Sequence, residues 1–227
     1  MSMAPEMVTI KPGTFVMGAG DDDKFATDTE RPAHAVSIEH SFALGRSPVT
    51  VAEYRYFAPH HEADGLPEWP VVNVSWYDAL RYCVWLSEVC DRTYRLPTEA
   101  EWEFACRAGT TEPFNTGESL MPGHANYLYS EDGMRIGRGS RTAVGSFPEN
   151  RFGVRDMHGN VCEWVADVWR PNYADTQRDA DRLDRRVIRG GAWDHLPRML
   201  RSAWRDGLPA GTRRDNVGFR IAATLEN

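Results

Sequence analysis

The residues best suited to chemistry gather near the C-terminus, between Val187 and Ala222, in VIRGGAWDHLPRMLRSAWRDGLPAGTRRDNVGFRIA. Trp193 and Trp204 offer flat aromatic faces, Arg201 and Arg205 forked cations, and His195 an imidazole that changes charge near neutral pH. His195 is the candidate proton carrier, with Asp194 and Arg205 as neighbours that orient it or hold a substrate carboxylate. The same stretch also reads as a binding surface. Trp193, Arg198, Arg201, Trp204, Arg205, Arg213 and Arg214 suit an acidic, aromatic or peptide partner, because Trp and Arg are enriched among interface hot spots. A plainer structural reading stands beside both: the two Trp plug the core, and Arg201, Arg205 and Arg220 pair internally with acidic loops.

Such a segment is too rich in Gly, Pro and charge to form an ordinary helix or strand, so its neighbours must hold it. Two β-prone pieces, Val187-Ile188-Arg189 and Gly218-Phe219-Arg220-Ile221, bracket it. Upstream, alternation through Val8, Ile10 and Phe15 around Pro12-Gly13 predicts a hairpin over Met7 to Met17. Val36, Ile38 and Phe42 predict a second strand pair over His34 to Leu44. Three helices announce their starts by a hydroxyl followed three residues later by a carboxylate: Thr50 with Glu53, Ser75 with Asp78, and Thr98 with Glu101. Ala79, Cys83, Leu86 and Cys90 share one face of the second helix, and Trp102, Ala105, Cys106 and Gly109 one face of the third. Glu99, Glu101 and Glu103 suit the positive end of the third helix and need no catalytic role. Short strands are expected near Thr142 to Phe147 and Cys162 to Val165. The rest of 110–190 is loop, too long to stand without a staple. The acidic run Asp21 to Asp23 reads as an exposed tip, and residues 170–186 as a solvated connector.

A chain of 227 residues with 41% hydrophobic content sustains one sizeable core, and no compositional break divides it, so 1–227 is expected to be a single domain. Its 19 Gly and 14 Pro predict little regular structure. The net charge of -7 argues against a general grip on nucleic acid. No apolar run approaches the roughly 18 residues of a membrane span, and Met1 to Ile10 lacks a signal-peptide layout, so a cytoplasmic location is expected. Cys83, Cys90, Cys106 and Cys162 form no CxxC pair and are expected to be reduced core thiols.

The motifs themselves resemble a known family. PGTFVMG from Pro12, PVVNVSWYDALRYCVWL at Pro70 to Leu86, YRLPTEAEWEFACRAG at Tyr94 to Gly109, FGVRDMHGNVCEWVADVW at Phe152 to Trp169, and the RGG…RSA…GFR ending look like the sulfatase-modifying-factor family, founded on the formylglycine-generating enzyme. The resemblance implies an α+β fold, a low-regularity variant of the C-type lectin fold. It also implies two structural Ca²⁺ ions. One set carries over to Asn126, the Tyr127 carbonyl, Asp132 and the Met134 carbonyl, in a loop that looks shorter than in some relatives. The other carries over to Asp156, the carbonyls of Gly159 and Val161, and Glu163, with Asp156 where some relatives have Asn.

One departure governs function. The family's copper-dependent members carry two cysteines after the Gly-Gly turn, and those positions fall here on His195 and Leu200. Copper(I) selects soft sulfur, which neither residue supplies. No copper is therefore expected, and Cys162 alone cannot replace a pair. The expectations are a binding module for a peptide, protein or small molecule through the 193–214 surface, or an atypical non-copper enzyme using His195, as some members lacking the pair mature peptide-derived metabolites oxidatively. Neither nucleic acid nor membrane is an expected partner.

Overall fold

The computed structural model describes residues 3–61, 65–175 and 184–225. The expected helices form where their capping residues stand: α1 (Val51–Phe57), α2 (Trp76–Cys90) and α3 (Glu99–Arg107). Each start closes reciprocally. In α2 the Ser75 hydroxyl accepts from the Asp78 N–H at 3.2 Å while the Asp78 carboxylate accepts from the Ser75 N–H at 2.8 Å. Ala79, Cys83 and Leu86 are buried, whereas Cys90, in the last turn, is half-buried. In α3, Trp102, Ala105 and Cys106 are buried, but Gly109 lies beyond the helix end and is exposed.

Among the described residues, ten strands surround these helices. A four-stranded antiparallel sheet runs in the order β1 (Met7–Ile10), β4 (Phe42–Gly45), β10 (Ala222–Thr224), β5 (Tyr94–Arg95). A separate two-stranded sheet joins β2 (Gly13–Met17) to β3 (His34–Ile38). A second four-stranded sheet runs β8 (Arg205–Pro209), β7 (Arg185–Arg189), β6 (Cys162–Val168), β9 (Val217–Phe219), parallel between β6 and β9. The two predicted local strand pairs are therefore corrected. β1 and β2 do not form a hairpin, nor do β3 and β4. Alternation reveals which face of a strand is buried but not its partner, and β4, buried along its whole length, recruits β1 and β10 instead.

Two further expectations change. Residues 142–147 form no strand, because side chains take their backbone donors: Asn160 Oδ1 accepts the Thr142 N–H at 3.0 Å and Asp156 Oδ2 the Gly145 N–H at 2.7 Å. Conversely, the segment read as irregular contains β8, paired with β7 along five residues. Gly207 makes this possible, since a Cβ there would sit 2.3 Å from the Trp169 ring. Residues 176–183, the middle of the predicted connector, lie outside the described residues.

The long loop region is stapled by buried amides and an imidazole. Asn126 Nδ2 donates to Asn160 Oδ1 (3.2 Å) and to the Ser140 carbonyl (2.9 Å), and Asn150 Nδ2 donates to the Ala105 carbonyl (2.7 Å). His158, buried between the Leu200 carbonyl (2.7 Å) and the Asn115 N–H (3.2 Å), is pushed down to about 4 by burial and stays neutral.

Candidate functional site: the loop after the Gly-Gly turn

β7 delivers its chain into the turn Gly190-Gly191, where both residues adopt positive φ (90° and 69°). A Cβ on Gly191 would lie 2.5 Å from the Met199 carbonyl, so only glycine lets the loop fold back on its own turn. The Trp193 N–H donates to the Asn160 carbonyl at 3.0 Å and the His195 N–H to that of Ala192 at 3.0 Å. Asn216, just before β9, clamps Asp194 by donating to both carboxylate oxygens at 3.0 and 3.1 Å.

The His195 ring meets Trp204 edge to face, with centroids 5.6 Å apart, and its Nδ1 is buried without a hydrogen-bond partner among the described residues. Burial lowers the imidazole's pKa, outweighing the opposing pull of Asp194 and Asp206, so it is neutral at pH 7. A neutral imidazole carries one nitrogen that donates and one that accepts. Leu200, the other position of interest, is fully buried in a cluster with Phe114, Leu120, Ala125 and Tyr127. Cys162, on β6, is also buried, and burial, reinforced by Asp194 and Asp206, raises its thiol well above the usual range. Cys83 and Cys106 are pushed up to about 12 by burial. No thiolate is on offer at these three positions.

The arginines separate sharply. Arg205, expected beside His195, instead grips Glu99 through Nε (2.6 Å) and Nη2 (3.0 Å) and lies over the rings of Trp169 and Tyr173. It orients nothing at His195. Arg201, expected at the binding surface, is buried and donates to Glu30 twice (2.6 and 2.7 Å), to Asp23 (2.8 Å) and to two carbonyls. Arg220 holds Glu163 in the same forked manner (2.6 and 2.7 Å), and Arg189 links Glu99 with Glu103. Glu99 and Glu103 are thus buried counter-ions as well as helix-start residues. Arg198 and Arg213 remain exposed, in ion pairs with Glu131 (2.6 Å) and Asp78 (2.7 Å). Trp204 keeps only 8% of its surface, whereas Trp193 is half-buried and Asp194 exposed. Asn216 and Asp206 complete this corner. Sequence reasoning missed both, because nothing local marks residues far along the chain as neighbours of His195.

The two expected calcium sets differ in their donors. In the first, the Met134 carbonyl accepts from the Ser130 N–H, and the Ser130 hydroxyl lies within donating distance of both that carbonyl and Asp132 Oδ1, so these two oxygens serve a local turn. In the second, Asp156 Oδ1 is buried without a partner, and burial pushes the carboxyl up to about 6. Glu163 Oε2 is filled by Arg220 and Trp102, while Oε1 accepts only from Arg220. Oxygen donors of this kind suit a hard cation. Among the described residues, no three His, Cys, Asp or Glu side chains gather to hold a metal. No described helix is long and apolar enough to cross a membrane.

Comparison with known proteins adds three findings. Residues 1–225 match the sulfatase-modifying factor enzyme 1-like domain. Serine/threonine-protein kinase pkn1 of Chlamydia caviae is 31% identical over 96% of this chain, although the chain spans only 38% of that protein's length. The inactive C-alpha-formylglycine-generating enzyme 2 of Mus musculus is 28% identical, over 97% of this chain and 86% of that protein. Among solved structures, PvdO from Pseudomonas aeruginosa superimposes with a TM-score of 0.86 at 34% identity, covering 99% of this chain and 96% of that one.

Proposed function

Since the chain belongs to the sulfatase-modifying factor enzyme 1-like family and shares its variant of the C-type lectin fold, we propose that it is a ligand-binding member that has given up copper chemistry. What carries this reading is the pair of residues that, by the family resemblance, fall on the sulfur positions. His195, half-buried against Trp204, carries a neutral imidazole whose Nδ1 is buried without a partner, and Leu200 is sealed in the core. The binding face is Trp193, Asp194 and His195, with the exposed Arg198 and Arg213 on the same segment; Arg201 and Arg205 are taken up by Glu30, Asp23 and Glu99. A peptide, protein or small molecule with an acidic or aromatic group fits this face, because Arg198 can exchange its partly exposed partner Glu131 for it at little cost. The kinase name of the chlamydial relative describes a longer protein and is not carried over.

A second reading keeps His195 as a proton carrier in a non-copper modifying enzyme. The neutral imidazole favours it. Substitution of His195 by Ala separates the two: a binder keeps measurable, altered affinity for its ligand, whereas an enzyme loses turnover. A cytoplasmic location is part of the same proposal.

A single Ca²⁺ at Asp156, the Gly159 and Val161 carbonyls and Glu163 belongs to it as well. There the ion would neutralise the orphaned Asp156 oxygen and tie the loop before β6 to the core; the Asn126 set offers no buried, unpartnered oxygen of that kind. A chelator should lower the melting temperature, and calcium should restore it, because a ligand that binds only the folded state stabilises that state. An unchanged melt in chelator would remove the ion from the proposal.

A further inference from the structure

Away from the His195 corner, β2 and β3 form one wall of a cavity of about 760 Å³, within the roughly 300–1,000 Å³ typical of small-molecule sites. Part of its lining is apolar: Phe15 and Val16 of β2, Ala33 and Ala35 at the start of β3, Phe104 of α3, and Pro113. Phe15 and Phe104 lie with ring centroids 5.3 Å apart, so the wall presents aromatic surface, and Val16 is 53% exposed although its surroundings are concave.

The charges around this wall are mostly negative. Asp22, Asp23, Glu112 and Glu118 line it, and Arg107 is the cation among the lining residues. Arg107 is spent: it donates to Glu103 (2.9 Å) and to the carbonyls of Gly18, Thr111 and Glu112. Asp23 is spent as well, on Arg201 and the Phe25 N–H. Glu112 accepts the Thr111 N–H through one oxygen, and backbone donors hold its carboxyl below the usual range. Among the described residues, Asp22 and Glu118 make neither a hydrogen bond nor an ion pair with another side chain, and the nearby Lys24 is turned over the Phe25 ring. Fold-internal pairing therefore consumes the positive charge and leaves carboxylates unspent around an aromatic wall.

We propose that this cavity binds a small organic cation, a protonated amine or guanidine carried on an aromatic or alkyl body. The body is sheltered by Phe15, Val16 and Phe104, and the cation is held between Asp22 and the Glu112 and Glu118 side. This assignment does not depend on what the His195 corner binds, since the two share no residue the argument uses.

Calorimetric titration of the full chain with 4-phenylbutylamine tests it, with the uncharged 4-phenylbutanol as control. The amine should bind stoichiometrically and the alcohol should not, with affinity falling as salt rises. The double substitution Asp22→Asn and Glu118→Gln, at exposed positions, should leave the melting temperature unchanged and weaken the amine on the order of tenfold. Ala35→Arg, which sets a cation in the mouth, should weaken it at least as far. No binding of the amine at millimolar concentration, equal binding of the alcohol, or affinity indifferent to both variants would overturn the proposal. Binding of acetyl-Phe-Lys-amide with none of the free amine would overturn the small-molecule assignment in favour of a peptide side chain.

Discussion

Replacing Arg201 by Ala is the most informative single perturbation, because Arg201 was expected at the ligand surface and the structure places it inside. Its guanidinium is 2% exposed and holds Glu30, which is fully buried, through two bonds of 2.6 and 2.7 Å. Removing it strands the Glu30 carboxylate in the core with only Thr27 as a remaining donor. Breaking a buried pair from one side costs about 3–5 kcal/mol. At about 2–4 °C per kcal/mol for a chain of this size, the melting temperature should fall by roughly 6–20 °C. Differential scanning calorimetry reads the loss directly. Glu30→Gln in the same background should recover part of it, giving a coupling of about 1–3 kcal/mol in a double-mutant cycle. A shift below about 2 °C, with ligand affinity lost instead, would refute the internal assignment and return Arg201 to the surface.

Three further outcomes follow from the packing and charge of the fold. Leu200→Ala empties a fully buried site and should cost about 2–5 kcal/mol by chemical denaturation; a cost under 0.5 kcal/mol would mean that Leu200 is not core. Asp167 is raised to about 6, by burial first and by Glu99 second. With an unfolded value near 3.9, its contribution is fully present below about pH 4 and is lost as pH rises to about 6. Asp167→Asn, whose amide oxygen can still accept the Glu99 N–H, should therefore stabilise the protein by about 1–2 kcal/mol above pH 6 and progressively less toward pH 4. A difference that does not change with pH would contradict the shift. Ser75→Ala should cost about 1 kcal/mol by removing the cap of α2, read as a lowered denaturation midpoint with unchanged slope.

What was legible in the sequence was what is encoded locally. Thr50, Ser75 and Thr98 satisfy their own helix starts, so the helices stood where the capping residues stood. Strand partners were not legible: Ile10 meets Phe42 and Cys162 meets Val217, pairings that no spacing of residues announces. The same limit applied to the arginines. Arg198, Arg201, Arg205 and Arg213 are chemically alike in sequence, and only the fold separates the two whose guanidinium groups are buried from the two that stay exposed. β8 was hidden because Gly207 and Pro209 carry turn signals, whereas Gly207 serves the contact with Trp169. The cavity wall was hidden for a similar reason, since Phe15 and Val16 read as ordinary strand residues until β3 and α3 arrive beside them.

Copper(I) titration of the reduced protein, with a competing chelator as indicator, tests the central claim most directly. The account predicts no tight stoichiometric complex, because the family resemblance puts His195 and Leu200 on the thiolate positions and Cys162 is buried with its thiol raised well above the usual range. A tight one-to-one complex that disappears on Cys162→Ala would contradict it.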